Sequence, residues 1–154
     1  MKPIIVKGDL HDQNVDVIVN AWNRNLIPWW LLLPQGVSGA IKKNAGVEPF
    51  CELRKFGVLA LGQAVLTSAG RLVYKGIIHV AGIGHLWLPS EKSARLSTRN
   101  AIKLAKETGF RSIAFPLIGA GTGGMKPSKV IDLMVQEIDA SDYNGMVTIV
   151  VYGR

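Results

Sequence analysis

Residues 111–124 read RSIAFPLIGAGTGG, an apolar run followed by a loop that contains four glycines. The run from Arg111 to Ile118 predicts a buried strand, and Pro127 shortly after the loop predicts the start of a helix. The loop contains the spacing G-x-G-x-x-G, which in dinucleotide-binding folds opens the sheet and precedes an acidic residue about 20 positions later. Here the following strand is the last of the chain and carries no acidic residue. The dinucleotide interpretation therefore fails, and a general phosphate-binding loop remains.

Strand and helix patterns alternate on the N-terminal side of this segment and continue after it. Strands are predicted at residues 3–7, 15–20, 63–67, 76–81 and 146–152, and helices at residues 36–45, 48–56, 90–108 and from 127 onward. Ser90 is the expected N-cap of the third helix, and Gly109 its expected end. The alternation predicts an α/β domain with a largely parallel sheet covered on both faces. Because no linker or repeat divides the chain, we expect one domain over residues 1–154.

Composition excludes several classes of protein. With 154 residues, 48% hydrophobic and 19% charged, the chain has the composition of a folded domain rather than a disordered one. The single cysteine, Cys51, excludes an internal disulfide and is expected to be a buried small hydrophobe. The first residues lack a signal-peptide pattern, and the apolar run 26–34 is too short to span a bilayer, so we expect a soluble cytoplasmic protein. The net charge of +7 favours anionic partners.

Two further loops lie at predicted strand or helix ends. Asn20–Asn23 (NAWN) leaves the strand VDVIV, and Gln35–Ile41 (QGVSGAI) precedes the first helix. Glycines before a helix expose backbone N–H groups that bind anions such as phosphate. Taken alone, Asn20 is better explained by satisfying backbone groups, and the second loop by a tight turn. Two glycine loops in one small α/β domain, however, favour binding of a diphosphate between them.

The order and spacing of six segments make the chain resemble the macrodomain family of ADP-ribose-binding modules. The segments are VKGDL (6–10), VDVIVNAWN (15–23), GVSGAIKKNAG (36–46), GQAVLTSAG (62–70), GIIHVAGIG (76–84) and RSIAFPLIGAGTGG (111–124). They run nearly from end to end. The resemblance implies a three-layer α/β/α fold with a mixed, largely parallel sheet and an ADP-ribose cleft at the strand ends.

The resemblance also assigns roles by position. Asp9 would accept a hydrogen bond from the adenine amino group, with Leu10 beside it, and Asn23 would hold the distal ribose. The phosphate-binding walls would consist of Gly36, Val37, Ser38, Gly39, Ala40 and Ile41 on one side and Gly119, Ala120, Gly121, Thr122, Gly123 and Gly124 on the other. Asn23 and Ser38 are the candidate catalytic residues. The resemblance implies no cofactor.

Three departures from the family pattern bear on activity. Ser38 stands where the hydrolase branch has an aspartate that helps to position water, and a serine supplies no carboxylate. Trp29 and Trp30 lie in a longer connection, where they either cover the core as a flap or form a wall for the distal ribose. The pair 122–123 stands where the family often has an aromatic residue, which opens the site on that side.

The remaining candidates are weaker. Lys42 and Lys43 follow the first loop and are better explained as a solvated helix face than as nucleophiles. His79, within a strand, is expected to be a satisfied core or rim histidine, whereas His85 lies in a loop within reach of the cleft. The histidines and Cys51 lack the spacing of metal ligands, so no metal site is expected.

Three functions therefore follow from the sequence. The first is binding of ADP-ribose with hydrolysis at the distal ribose of mono-ADP-ribosylated protein, O-acetyl-ADP-ribose or ADP-ribose 1″-phosphate. The second is a non-catalytic reader of ADP-ribose, which Ser38 favours. The third is nucleic-acid binding, which the net charge alone supports and which would be sensitive to salt. We expect a monomer that requires neither nucleic acid nor a membrane.

Overall fold

The computed structural model describes residues 2–22, 36–82, 90–120 and 125–153, with residues 36–39 described in their backbone alone. Six strands form one sheet in the order β1-β6-β5-β2-β4-β3. The strands are β1 (Ile4–Gly8), β2 (Val17–Ala21), β3 (Ala64–Thr67), β4 (Gly76–Val80), β5 (Ser112–Phe115) and β6 (Met146–Tyr152). Every neighbouring pair is parallel except the antiparallel pair β3–β4. The predicted mixed, largely parallel sheet is confirmed.

Helices cover both faces of the sheet. They are α1 (Gly36–Ala45), α2 (Glu48–Arg54), α3 (Glu91–Thr108) and α4 (Pro127–Asp139). Along β2, Val17 and Val19 pack in the cluster that includes α3 and α4, whereas Ile18 packs in the cluster that includes α1 and α2. Successive strand residues point to opposite faces, so a continuous apolar strand serves two cores at once. The three-layer α/β/α architecture is thereby confirmed.

Helix α3 begins and ends where the sequence predicts. The Ser90 side chain accepts from the backbone of Ser93, whose own hydroxyl accepts from the Ser90 amide, forming a capping box. At the other end Gly109 has φ +84°, and its amide donates to Ala105 and Lys106. Such left-handed backbone favours glycine, which closes the helix. The buried stripe of Ala94, Ala101, Ile102 and Ala105 was also predicted from spacing.

Three predicted elements differ from the structure by two residues or more at one end, and one predicted residue differs in its burial. Strand β5 ends at Phe115 rather than at residue 118, because Pro116 has no N–H with which to continue the ladder. Strand β2 spans residues 17–21 rather than 15–20, and helix α2 stops at Arg54 rather than at residue 56. Cys51, expected to be buried, is exposed. It lies between the buried Phe50 and Leu53 on the opposite side of a short amphipathic helix.

None of the helices in the described part of the chain is both long and apolar enough to cross a membrane.

Candidate functional site

The carboxyl ends of the parallel strands meet at one edge of the sheet. Gly8 at the end of β1 is paired with Tyr152 at the end of β6, and β5 lies on the other side of β6. Helix α1 also begins after the end of β2, at Gly36. Ligands of parallel α/β sheets usually bind outside the carboxyl ends of strands. The candidate site is therefore expected at this edge.

A cleft of about 450 Å³ opens at this edge. Its lining consists of Asp9, Leu10, His11, Ala40, Pro116, Val150 and Tyr152. Three of the residues predicted from the sequence, Asp9, Leu10 and Ala40, thus lie around one cavity. The other four were not predicted as site residues. They share a position just past, or near, the carboxyl end of a strand, which is the signal that could have found them.

Asp9 presents a carboxylate at the mouth of the cleft. It is the N-cap of a 3₁₀ turn (Leu10–Asp12), and its Oδ1 accepts from the His11 amide at 2.9 Å. About half of the side chain, 49%, is exposed. Its second oxygen, Oδ2, has no hydrogen-bond partner among the residues described. The Leu10 amide opens the same turn and so has no partner within it. Asp9 Oδ2, an acceptor, and the Leu10 N–H, a donor, therefore lie on adjacent residues at the cleft.

Tyr74 holds this turn in place from beneath. Its hydroxyl oxygen lies 2.9 Å from the His11 carbonyl oxygen and 3.0 Å from that of Gln13. Burial raises the pKa of Tyr74, and the nearby carboxylates of Asp12 and Asp9 raise it further. The phenol is therefore a persistent hydrogen-bond donor. It was missed because the sequence gives no sign that residue 74 reaches the first loop.

His11 packs against the carboxylate of Asp9. Its Nδ1 lies 3.4 Å from Asp9 Oδ1 and 3.5 Å from Asn44 Nδ2 on α1. Its Nε2 is buried without a hydrogen-bond partner in the described chain. The imidazole thus tethers the 3₁₀ turn to helix α1 and forms part of the cleft wall.

Tyr152 supplies an aromatic ring at the rim of the cleft. It stands at the end of β6 and is paired with Gly8, the residue that directly precedes Asp9. The residue is 77% exposed although it lines the cleft. An exposed aromatic ring beside a hydrogen-bonding edge is suited to a planar heterocycle, which stacks on the ring while its edge is hydrogen-bonded.

The N-terminus of α1 faces the same edge of the sheet. Because the helix begins at Gly36, the amides of its first three residues, 36–38, have no acceptor within it. Such amides and the helix dipole favour an anion. Ala40 lines the cleft, whereas the Ile41 side chain is fully buried in the core. Within the predicted phosphate-binding wall of residues 36–41, the backbone of the first turn of α1 is therefore the part that a phosphate can reach.

The second glycine loop begins at Gly119, four residues after the end of β5. Gly119 has φ +98°, a conformation that favours glycine, and its carbonyl oxygen accepts from the Met125 amide at 2.8 Å. Ala120 packs partly against the core. The two ends of the loop are therefore held together.

Several predicted site residues lie outside the described residues. They are Asn23, Trp29, Trp30, Gly121, Thr122, Gly123 and Gly124, together with His85 and the side chains of Val37 and Ser38. His79 is described, and it is a fully buried histidine with hydrogen bonds at both ring nitrogens, as predicted. No group of three or more possible metal ligands occurs within the described ranges.

A family model and two curated proteins match this chain over most of its length. The family model of the macro domain matches residues 19–134. A macro domain-containing protein of Streptomyces griseus is 40% identical over 128 residues, which cover 78% of this chain and 69% of that protein. An O-acetyl-ADP-ribose deacetylase of Salmonella typhimurium is 35% identical over 142 residues, 87% of this chain and 75% of that protein.

Solved structures show the same likeness. The macrodomain of Oceanobacillus iheyensis with ADP superposes with a TM-score of 0.80 at 30% identity, covering 97% of this chain and 83% of that one. A variant of that macrodomain with ADPR gives a TM-score of 0.81 at 30% identity, covering 97% and 84%.

Proposed function

Because the chain belongs to the macro domain family, we propose that its cleft binds ADP-ribose, with the adenine at the end formed by β1 and β6. The observation that carries this proposal is the grouping of Asp9, the Leu10 amide and Tyr152 around one cavity. Relatives of known structure with ADP and ADPR support the same class of ligand.

The hydrogen-bonding edge matches adenine. The free oxygen of Asp9 would accept from the exocyclic amino group, and the Leu10 amide would donate to the adjacent ring nitrogen. A guanine base presents a donor where adenine has that ring acceptor, so it would oppose the Leu10 amide. The same pair of groups therefore favours adenine over guanine. Tyr152 would stack on the base.

The diphosphate would lie between the two glycine loops. The amides at the start of α1 would form one wall, and the loop that begins at Gly119 the other. These groups are uncharged, so they add directional hydrogen bonds to the general attraction of a basic protein for an anionic nucleotide. The distal ribose would lie beyond them, held by Asn23.

Calorimetric titration with ADP-ribose tests the proposal directly. We expect saturable binding, and absence of binding at high micromolar concentration would overturn the site. Asp9→Ala should weaken ADP-ribose binding. The loss should be smaller with the hypoxanthine analogue, which lacks the amino group. Asp12→Ala is the control, since it removes a neighbouring carboxylate that does not line the cleft.

We further propose that the chain hydrolyses a bond at the distal ribose. This finer statement rests on the similarity to proteins named O-acetyl-ADP-ribose deacetylase. With acetyl-ADP-ribose, water would add to the ester carbonyl and the ester C–O bond would break, releasing acetate and ADP-ribose. Asn23 would orient the ribose, and the substrate phosphate with the loop backbone, aided by Ser38, would place the water. Catalysis would then consist mainly of positioning and electrostatic stabilisation.

A reader without turnover is the competing function, and Ser38 favours it because serine provides no carboxylate base. Incubation with ADP-ribosylated protein and with O-acetyl-ADP-ribose separates the two. Released ADP-ribose supports the hydrolase. Binding without release from any conjugate supports the reader. For a hydrolase, Asn23→Ala should abolish turnover while changing affinity much less.

A further inference from the structure

Three polar side chains form a buried hydrogen-bonded chain on the face of the sheet that packs against α2. Asn20, His79 and Thr67 are 0%, 0% and 4% exposed. Asn20 Nδ2 lies 3.0 Å from His79 Nδ1, and His79 Nε2 lies 2.8 Å from Thr67 Oγ1. The apolar neighbours Ile18, Val65 and Ile77 point to the same face. The chain is thus a polar insertion in an apolar layer.

One assignment of donors and acceptors satisfies every group in this chain. The Thr67 hydroxyl donates its single hydrogen to the Ser68 carbonyl oxygen at 2.9 Å, and its oxygen accepts from the His79 Nε2–H. His79 Nδ1 is then unprotonated and accepts from the Asn20 amide. Burial lowers the pKa of His79 to about 3, so the neutral ring persists at ordinary pH.

The chain lies where β2 and β4 end. Asn20 is the partner of His79 in the parallel register. Two residues later the Trp22 amide donates to the Val80 carbonyl oxygen at 2.7 Å, and the buried Trp22 ring packs on Phe50 at 5.2 Å. Backbone and side-chain contacts together therefore fix the path of residues 20–22. The next residue in the chain is Asn23.

From this geometry we propose that Asn20, His79 and Thr67 are positioning residues for the distal-ribose end of the cleft. They bind the end of β2 to the end of β4 and so fix residues 20–22, which directly precede Asn23 in the sequence. The inference rests on the proposed function, because it concerns the ribose subsite of the same cleft. An error of about 1 Å in such a position lowers the rate of a reaction by as much as 100-fold.

Thr67→Val tests this proposal, because it removes the hydroxyl while keeping the shape of the side chain. Thr98→Val is the matched control. Thr98 is also fully buried and donates one hydrogen bond, to the Ala94 carbonyl oxygen at 2.8 Å, but it lies within α3 on the other face of the sheet. Thr67→Ser keeps the hydroxyl and should restore the wild-type behaviour.

The measured quantity is the ratio of the dissociation constants for ADP and ADP-ribose, each determined by calorimetry where the variant is fully folded. ADP lacks the distal ribose, so a general loss of stability weakens both ligands alike and leaves the ratio unchanged. We expect Thr67→Val to lower the ratio about three- to tenfold, the effect of losing about one hydrogen bond. Thr98→Val and Thr67→Ser should leave it within twofold.

The outcomes are distinguishable. If the wild type binds neither ligand, the proposed function itself fails. If the wild type prefers ADP-ribose and Thr67→Val keeps that preference, the positioning role is overturned while the function stands. An equal fall in Thr98→Val would likewise overturn it. If the protein is a hydrolase, Thr67→Val should lower kcat by a larger factor than it changes KM.

Discussion

Replacing Tyr152 by alanine separates nucleotide recognition from folding. The residue lies at the end of β6, lines the cleft beside Asp9 and is 77% exposed. Removing an exposed side chain usually changes the free energy of unfolding by no more than about 0.5 kcal/mol. If Tyr152→Ala loses more than about 0.5 kcal/mol of binding free energy, the loss therefore comes from the missing contact with the base and not from a weakened fold.

The size of the loss follows from the exposure of the ring. Stacking of a base on an aromatic side chain contributes about 1–3 kcal/mol by alanine substitution. Tyr152 offers one face at an open rim rather than a closed slot, so we take the lower part of that range, about 1–2 kcal/mol. The dissociation constant of ADP-ribose should then rise about 5- to 30-fold. Tyr152→Phe keeps the ring and should stay close to wild type.

Calorimetric titration of the wild type, Tyr152→Ala, Tyr152→Phe and one control variant with ADP-ribose tests whether the base stacks on Tyr152. Phe56→Ala is the control variant, because Phe56 is another exposed aromatic residue, 50% exposed, that does not line this cleft. Thermal unfolding of each variant verifies that it is folded. If Tyr152→Ala binds ADP-ribose within twofold of the wild type, the base does not stack there and the orientation of the nucleotide in the cleft is wrong.

Three further predictions concern the residues around and beneath the cleft. Asp9→Ala should raise the dissociation constant of ADP-ribose about tenfold, since a hydrogen bond to a charged group contributes about 1.5–3 kcal/mol and Asp9 is half-exposed; unchanged affinity in the same titration would remove Asp9 from the adenine site. Tyr74→Phe should lower the free energy of unfolding by about 1 kcal/mol in urea and weaken ADP-ribose binding, because the 3₁₀ turn loses its tie to the phenol. Folding lowers the pKa of His79 from its ordinary 6.5 to about 3. As the pH falls below 6.5, His79 is protonated in the unfolded chain but not in the folded one, so the free energy of unfolding present above pH 6.5 decreases until the pH approaches 3. Between pH 7 and pH 5 this amounts to about 2 kcal/mol, and urea unfolding should find the loss in the wild type and not in His79→Gln.

Much of the fold was predictable because it depends on local signals. Strand β6 was predicted with its observed bounds from a run of β-branched residues, and α3 from Ser90 and Gly109, whose capping roles are short-range. The predicted bounds are wrong where a tertiary contact determines the end of an element. Asp16 belongs to no strand because its carboxylate accepts from the Arg111 amide and its own amide donates to Ser112. Such a contact spans about a hundred residues and leaves no periodic trace.

The site was predictable only in part, for a related reason. Asp9 and Leu10 lie in a segment whose order and spacing carry the family resemblance, so their place in the cleft followed from it. Tyr152 and His11 reach the same cavity through the register of β1 with β6 and through the packing of the 3₁₀ turn on α1. Neither contact has a sequence pattern of its own. Tyr74 is a stronger case, since its partner lies more than sixty positions away.

The two ends of the cleft depend on different kinds of residue, and this decides how each must be tested. At the proposed adenine end, Asp9 and Tyr152 are exposed, so substitution there should change binding with little effect on folding. At the ribose end, the proposed support consists of Asn20, His79 and Thr67, which are buried and hydrogen-bonded. Substitution there leaves a buried polar atom without its partner and lowers stability as well as binding. Affinity alone is therefore informative at the first end, whereas at the second only a comparison of ADP-ribose with ADP separates a displaced ribose subsite from a weakened protein.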